Sequence, residues 1–332
     1  MATLLDELSK LLNHRRAEQL EKMLGVKEHA LKQGVQTAGA VLLGTANIQA
    51  ATPAGAEELL ASLNLDKEIR TDVMEAIAEG HGYPILNFLF GVGLPKVSSW
   101  LRDTAGMEVE PFLPVTAPMF MHVLQDAVRA QKLDGAGLTA YLVDQEKIFA
   151  RAQPQLASQI NAALDLGQNT VERAERNIER FTPEEWDTLS RVPALAGHAV
   201  MLAAWSGPRG LQKEFDALQT AMAECGRAHD PDSLVGLVGL TLTGPAQLDA
   251  LGVTQANAMS LTRDGCLDAL AILNDKATHE EILAYKEFIV AVAQRVAQAA
   301  RDGGIFSVGG KPVSADEQAM LDLIAAALAY TP

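Results

Sequence analysis

Apolar residues recur at steps of three and four positions along most of the chain, and this spacing lays an apolar stripe along one face of an α-helix. The stretch from Ala277 to Tyr330 shows the pattern most clearly. Its stripe consists of Ile282, Tyr285, Ile289, Val292, Val296 and Ala299. The most strand-like run is Leu237–Leu242, where Gly239 favours a closely packed helix instead. The pattern therefore predicts an all-α protein.

Three capping boxes of the form S/T-x-x-E mark helix starts. In this motif the hydroxyl accepts a hydrogen bond from a backbone N–H of the first turn, and the glutamate accepts one from the cap residue. The pairs are Thr182 with Glu185, Thr278 with Glu281, and Ser314 with Glu317. Each pair predicts where a helix begins, and the first one opens the second half of the chain.

The composition divides the chain into three parts. Residues 1–150 predict a compact multi-helix domain, in which the Ala-rich helix 27–50 is a central element buried on most sides. Residues 151–181 become charge-dense at Glu172–Arg180, which predicts a solvated helical connector with pairs at i,i+4 spacing. Residues 182–332 predict an antiparallel helical bundle. We therefore expect two helical domains joined by a charged connector.

Four motifs in the first part of the chain are built mainly from glycine and aliphatic positions. They are G-x-x-I-L-x-x-L-F-G at Gly82–Gly91, V-x-x-x-L at Val97–Leu101, L-P-V-x-A-P at Leu113–Pro118 and L-D-x-x-G-L at Leu133–Leu138. In this order they resemble the YidB-like family of bacterial helical proteins of unknown function, over residues 1–150. The resemblance implies a compact all-helical domain, and it transfers no catalytic residue to this chain.

Charge and cysteine content narrow the class of protein. A net charge of −15 opposes binding to phosphates, so a nucleic-acid partner is not expected. No apolar run reaches the roughly 18 residues of a membrane span, and the start lacks the basic region and apolar run of a signal peptide. Cys225 and Cys266 lie far apart in apolar helical contexts, which predicts buried reduced thiols. The expected compartment is the cytoplasm.

His198 is the most notable candidate for a ligand-binding residue. It is one of few polar groups on a nearly continuous apolar helix, and a buried imidazole needs a hydrogen-bonding partner. One interpretation is a ligand or proton-relay site, with Glu214 and Glu287 as acidic partners. The other is a core histidine bonded to a carbonyl or carboxylate, since a lone histidine lacks the further ligands of a metal site. His122 and Asp126, four apart on one helix, predict a surface ion pair.

Two stretches look like catalytic motifs but lack required residues. The stretch beginning His279-Glu280 has no second histidine to complete H-E-x-x-H. Gly303–Lys311 is followed by Pro312 where a phosphate loop has Ser or Thr, so we interpret it as a turn between helices. Any anion would bind at Lys311, beside the N–H groups of the helix that follows. No metal ion or cofactor is predicted.

The sequence therefore favours an interaction or scaffold protein without a reactive centre. A protein partner or self-association is expected, and a membrane is not. The alternative is a helical bundle that binds a small ligand or acts as an enzyme around His198, since no catalytic motif decides the question.

Overall fold

The computed structural model describes residues 3–63, 73–203, 208–240, 251–302 and 314–330. Every regular element in these ranges is a helix, and none is a strand, so the all-α prediction is confirmed. Among the helices of these ranges, none combines the length and the apolar character that crossing a bilayer requires.

The chain forms two compact units, Met1–Val171 and Glu172–Pro332. The boundary between them falls inside a long helix, Pro154–Glu179, which occupies most of the predicted connector. The two-domain organisation with limits at 150 and 182, and the antiparallel order of the second part, stay predictions.

The first unit is organised around its third helix. Its helices are α1 (Leu4–Leu11), α2 (His14–Leu24), α3 (Glu28–Gln49), α4 (Pro53–Ser62), α5 (Val73–Ala78), α6 (Gly82–Phe90), α7 (Leu94–Ala105), α8 (Leu113–Gln131), α9 (Gly135–Ala152) and the first part of α10 (Pro154–Glu179). α1, α2, α4, α6, α8 and α9 all pack on α3, and every residue from Gly39 to Ala46 is buried. The prediction of a central buried helix is confirmed.

The second unit is organised around the helix that carries the predicted apolar stripe. After the end of α10 come α11 (Pro183–Ala203), α12 (Pro208–Arg227), α13 (Leu234–Gly239), α14 (Ala258–Lys276), α15 (His279–Asp302) and α16 (Ala315–Ala327). α15 packs against α11, α12, α13, α14 and α16. Tyr285, Ile289, Val292 and Val296 of the stripe are fully buried, which confirms its orientation toward a core.

The three capping boxes are present as predicted. Thr182 N–H donates to the Glu185 carboxylate at 2.7 Å, and Thr278 N–H donates to that of Glu281 at 2.8 Å. Ser314 and Glu317 form the complete box at the start of α16. A fourth box at Thr3 uses aspartate in place of glutamate, and the S/T-x-x-E pattern therefore missed it.

Residues at the end of α10 and directly after it pair with residues distant in sequence. Arg173 forms an ion pair with Asp232, and Asn177 donates to the Asp232 carbonyl at 2.7 Å. Arg180 Nη1 donates to the Glu281 carboxylate at 3.0 Å, across 101 positions of sequence. Two arginines of the stretch predicted as a connector are therefore engaged by residues of the second unit. The connector over residues 151–181 itself stays a prediction.

The ion pair of Arg180 with Glu281 is expected to stabilise the second unit. Both side chains are only about a quarter exposed (25% and 24%), and Glu281 also accepts from the Thr278 cap. Burial raises the pKa of Glu281, but the hydrogen bonds from Arg180 and Thr278 more than offset this and hold the pKa below its ordinary value. Arg180→Met is expected to lower the free energy of unfolding by about 1–2 kcal/mol at neutral pH.

The effect of Arg180→Met should depend on pH in one direction. Because the folded-state pKa of Glu281 is depressed, its stabilisation is present at neutral pH and is lost as pH falls below about 4.3, the ordinary glutamate value. Urea unfolding at about pH 7 and about pH 3.5 measures this. Glu280→Gln, an exposed neighbour in the same helical turn, is the control and should change stability by less than about 0.5 kcal/mol. An Arg180→Met effect equal at both pH values would contradict the role of the ionised Glu281.

Candidate functional site

An open apolar cleft of about 610 Å³ lies on the first unit. The end of α2, α5, the start of α6, the loop before α8 and the first turn of α8 supply its lining. Its larger apolar residues are Met23, Leu24, Ile77, Tyr83, Pro111 and Val115. Concave apolar surfaces are where proteins most often bind ligands, so this cleft is the candidate site.

Two glycines in left-handed conformation set the ends of the helices around the cleft. α2 ends at Gly25, with φ of 67°, where the N–H donates to the Glu21 carbonyl. Gly80, with φ of 76°, follows α5, and α6 begins two residues later at Gly82. These turns place the last residues of α2 and the first turn of α6 in one lining, and Tyr83 belongs to that first turn.

Gly82 allows α6 to approach α8 unusually closely. A Cβ atom added to Gly82 would collide with the backbone carbonyl oxygen of Pro114. In a regular helix this oxygen would accept a hydrogen bond from the backbone N–H of residue 118. That residue is Pro118, which lies inside α8 and has no N–H. The close contact fixes the start of α6, and with it Tyr83, beside the first turn of α8.

Two large side chains of the cleft are strongly exposed. Met23 is 51% exposed and Tyr83 is 68% exposed, although both lie on an apolar surface. Single exposed apolar residues are ordinary, and here two of them line the same cleft. The cleft therefore has apolar area that folding of the first unit leaves accessible.

Two carboxylates border the cleft. Glu108 and Glu110 are exposed, whereas Val109 between them is buried. Arg102 lies 3.7 Å from the Glu110 carboxylate, but its Nε also donates to Asp103 at 2.9 Å. The hydrogen bond to Asp103 and the negative charge of the Asp103 carboxylate raise the pKa of Arg102, and the charges of Glu108 and Glu110 add smaller contributions. This side of the cleft thus carries more negative than positive charge.

The described lining can do two things chemically. Its apolar side chains can bury an apolar side chain of another molecule, and its carboxylates can attract a cation. Both are binding interactions, and they act on the same small surface.

The predicted site residues belong to the part of the chain that forms the second unit. His198 is half-buried on α11 between buried neighbours, and it makes an interaction with its surroundings. Glu287 is exposed on α15. The side chain of Glu214 and the whole of Lys311 lie outside the described residues. A ligand site at His198 with Glu214 and Glu287, and an anion site at Lys311, both stay predictions.

The structure supports the interpretation of His122 and Asp126 as a surface pair. His122 Nε2 lies 3.8 Å from the Asp126 carboxylate, which is 65% exposed. Within the described ranges, no group of three or more His, Cys, Asp or Glu side chains is arranged to hold a metal ion.

Sequence reasoning did not find the cleft. Its residues come from four separate helices and a loop, and they share no motif. The available signal was the apolar run from Gly82 to Gly91, which has more apolar residues than one face of a short helix can bury. Within that run the Tyr83 side chain is 68% exposed.

Fold and cleft together define an all-helical protein with an open apolar cleft that two carboxylates border. Residues 6–126 match a family model described as a bacterial protein of unknown function (DUF937). The match confirms the predicted similarity of the first part of the chain to an uncharacterised bacterial family, and it includes every residue named above for the cleft. The YidB-like label itself stays a prediction. No match was found among curated proteins or solved structures.

Proposed function

We propose that this chain is a non-catalytic interaction protein that binds a segment of a partner polypeptide in the cleft between Met23 and Tyr83. The observation that carries the proposal is the exposure of these two side chains on one concave apolar surface. Burying them against a partner would remove apolar area from water, which is the main favourable contribution to most protein association.

The shape of the cleft favours a polypeptide over a small molecule. Small-molecule sites usually enclose most of the ligand surface and present several converging polar groups. Here the largest lining side chain, Tyr83, is mostly exposed at the edge, and the charged groups of the described lining lie on one loop. An extended or helical segment can lie across such a surface and insert a side chain.

The cysteines support a cytoplasmic location for this activity. Cys225 and Cys266 are both unlinked and buried. Burial raises the pKa of Cys266 to about 12, so its thiol stays protonated and unreactive at neutral pH. Two buried free thiols are typical of proteins in a reducing compartment.

Peptide selection tests the proposed function. A phage library of random 12-residue peptides is selected on the full chain and then depleted on the Tyr83→Ser variant. We expect peptides to be enriched that bind the wild-type chain at least about tenfold more tightly than the variant, because buried aromatic anchors dominate such interfaces.

A matched control distinguishes binding in the cleft from non-specific binding to exposed apolar residues. Leu166→Ser removes another exposed apolar residue of the first unit, on α10, which is 42% exposed. This variant should bind the enriched peptides as the wild type does. If no enriched peptide depends on Tyr83, or if Leu166→Ser weakens binding equally, the proposed function is wrong.

A further inference from the structure

We infer that the segment bound in the cleft is cationic, with an apolar side chain flanked by lysine or arginine. The inference rests on the proposed function and specifies the chemistry of the partner. Its basis is the position of the carboxylates relative to the apolar surface.

Glu108 and Glu110 are placed to contact the flanks of a bound segment. Both belong to the lining together with Pro111, and the burial of Val109 anchors the loop that presents them. A side chain inserted beside Tyr83 would therefore lie next to two exposed carboxylates. Charged groups at the rim of an interface mainly set partner choice and association rate.

The cations around the cleft only partly offset the negative charge of this loop. Arg102 approaches Glu110 but is also bonded to Asp103, so its charge is shared between two carboxylates. Lys22 is exposed beside Met23 at the end of α2. A basic partner thus meets a locally acidic edge, and the net charge of −15 attracts the same partner at long range.

A second copy of this chain fits the cleft less well than a basic segment does. Two molecules that each carry a net charge of −15 repel one another, and the acidic loop would add to that repulsion. An acidic or neutral partner would leave the carboxylates without a counterion. Charge complementarity therefore favours a separate, basic polypeptide.

The composition of the selected peptides is the first test. Peptides whose binding depends on Tyr83 should carry lysine or arginine on both sides of an apolar residue more often than the starting library does. Tyr83-dependent peptides without this bias would overturn the inference and leave the proposed function standing. A failure to obtain any Tyr83-dependent peptide would overturn both.

The second test measures the role of the two glutamates. A fluorescein-labelled selected peptide is titrated with the full chain, and binding is followed by fluorescence anisotropy. We expect Glu108→Gln combined with Glu110→Gln to weaken binding about three- to tenfold, with less effect at high salt. The control, Glu172→Gln combined with Glu175→Gln, removes the same charge from exposed positions of the second unit and should change affinity less than about twofold.

Three results, two from this titration and one from sedimentation, would overturn the inference. One is equal binding by the wild type and the Glu108→Gln, Glu110→Gln variant. Another is an equal loss in the control variant, which would indicate attraction by total charge alone. The third is sedimentation showing a dimer that Tyr83→Ser dissociates, because the cleft would then hold a second copy.

Discussion

Replacing Tyr285 with alanine is expected to lower the free energy of unfolding by about 3–5 kcal/mol, and replacing it with phenylalanine by about 2 kcal/mol. Tyr285 is fully buried in the core of the second unit, so alanine would leave a large cavity. The phenylalanine variant keeps the ring and removes only the hydroxyl, together with its hydrogen bond to the Leu189 carbonyl.

The Tyr285 hydroxyl donates to the backbone carbonyl of Leu189 at 2.7 Å. In a regular helix that carbonyl would accept from the N–H four residues on, but that residue is Pro193, which has none. The hydroxyl therefore takes the place of the missing N–H. Burial, with a smaller contribution from Cys266, raises the pKa of Tyr285 well above its ordinary value, so the hydroxyl keeps its proton.

A double-mutant cycle tests this explanation. Pro193→Ala supplies an N–H for Leu189, so Tyr285→Phe should cost about 1 kcal/mol less in the Pro193→Ala background than in the wild type. Urea unfolding of the four proteins provides the free energies. Equal costs of Tyr285→Phe in both backgrounds would show that the hydroxyl does not compensate for the proline.

Gly82→Ala is expected to destabilise the first unit by about 2–3 kcal/mol, a large effect for one added methyl group. The methyl group would overlap the Pro114 carbonyl oxygen, and neither backbone can move without shifting α6 or α8. The start of α6 would shift away from α8, so peptides selected on the cleft should also bind this variant more weakly.

Gly135→Ala is the matched control for that substitution. A Cβ atom at Gly135 would lie 2.6 Å from the end of the flexible Glu57 side chain, which can rotate away, and 3.6 Å from the Ala56 Cβ, an ordinary contact distance. We expect thermal and urea unfolding of Gly135→Ala to remain within about 0.5 kcal/mol of the wild type. If Gly82→Ala is equally mild, the approach of α6 to α8 is less constrained than the structure indicates.

Local patterns predicted the helices well because their signals act over a few residues. Thr278 with Glu281 marked the start of α15, and the spacing of its apolar residues gave the buried face. The same patterns gave an incomplete account of Arg180, because an i,i+4 rule considers only neighbours on one helix. The partner of Arg180 lies 101 positions away.

Patterns of neighbouring residues predict the candidate site even less completely than they predict the partner of Arg180. His198 was predicted as a site residue because a histidine in an apolar run is unusual. Met23 and Tyr83 are apolar residues on predicted helices, so the sequence does not distinguish them from core residues. Which apolar side chains remain exposed depends on how helices meet. At Tyr83 that depends on a contact between Gly82 and Pro114, which no local pattern encodes.

By itself, the sequence determined that this protein is all-helical, where three of its capped helices begin, that α3 is buried on most sides, and which face of α15 is buried. Periodicity and capping are properties of neighbouring residues, so they can be recognised without the fold. The tertiary structure alone decided the cleft, the bond from Tyr285 to Leu189 and the pairing of Arg180 with Glu281. Each of these joins residues far apart in the chain, and only the packing of whole helices brings them together.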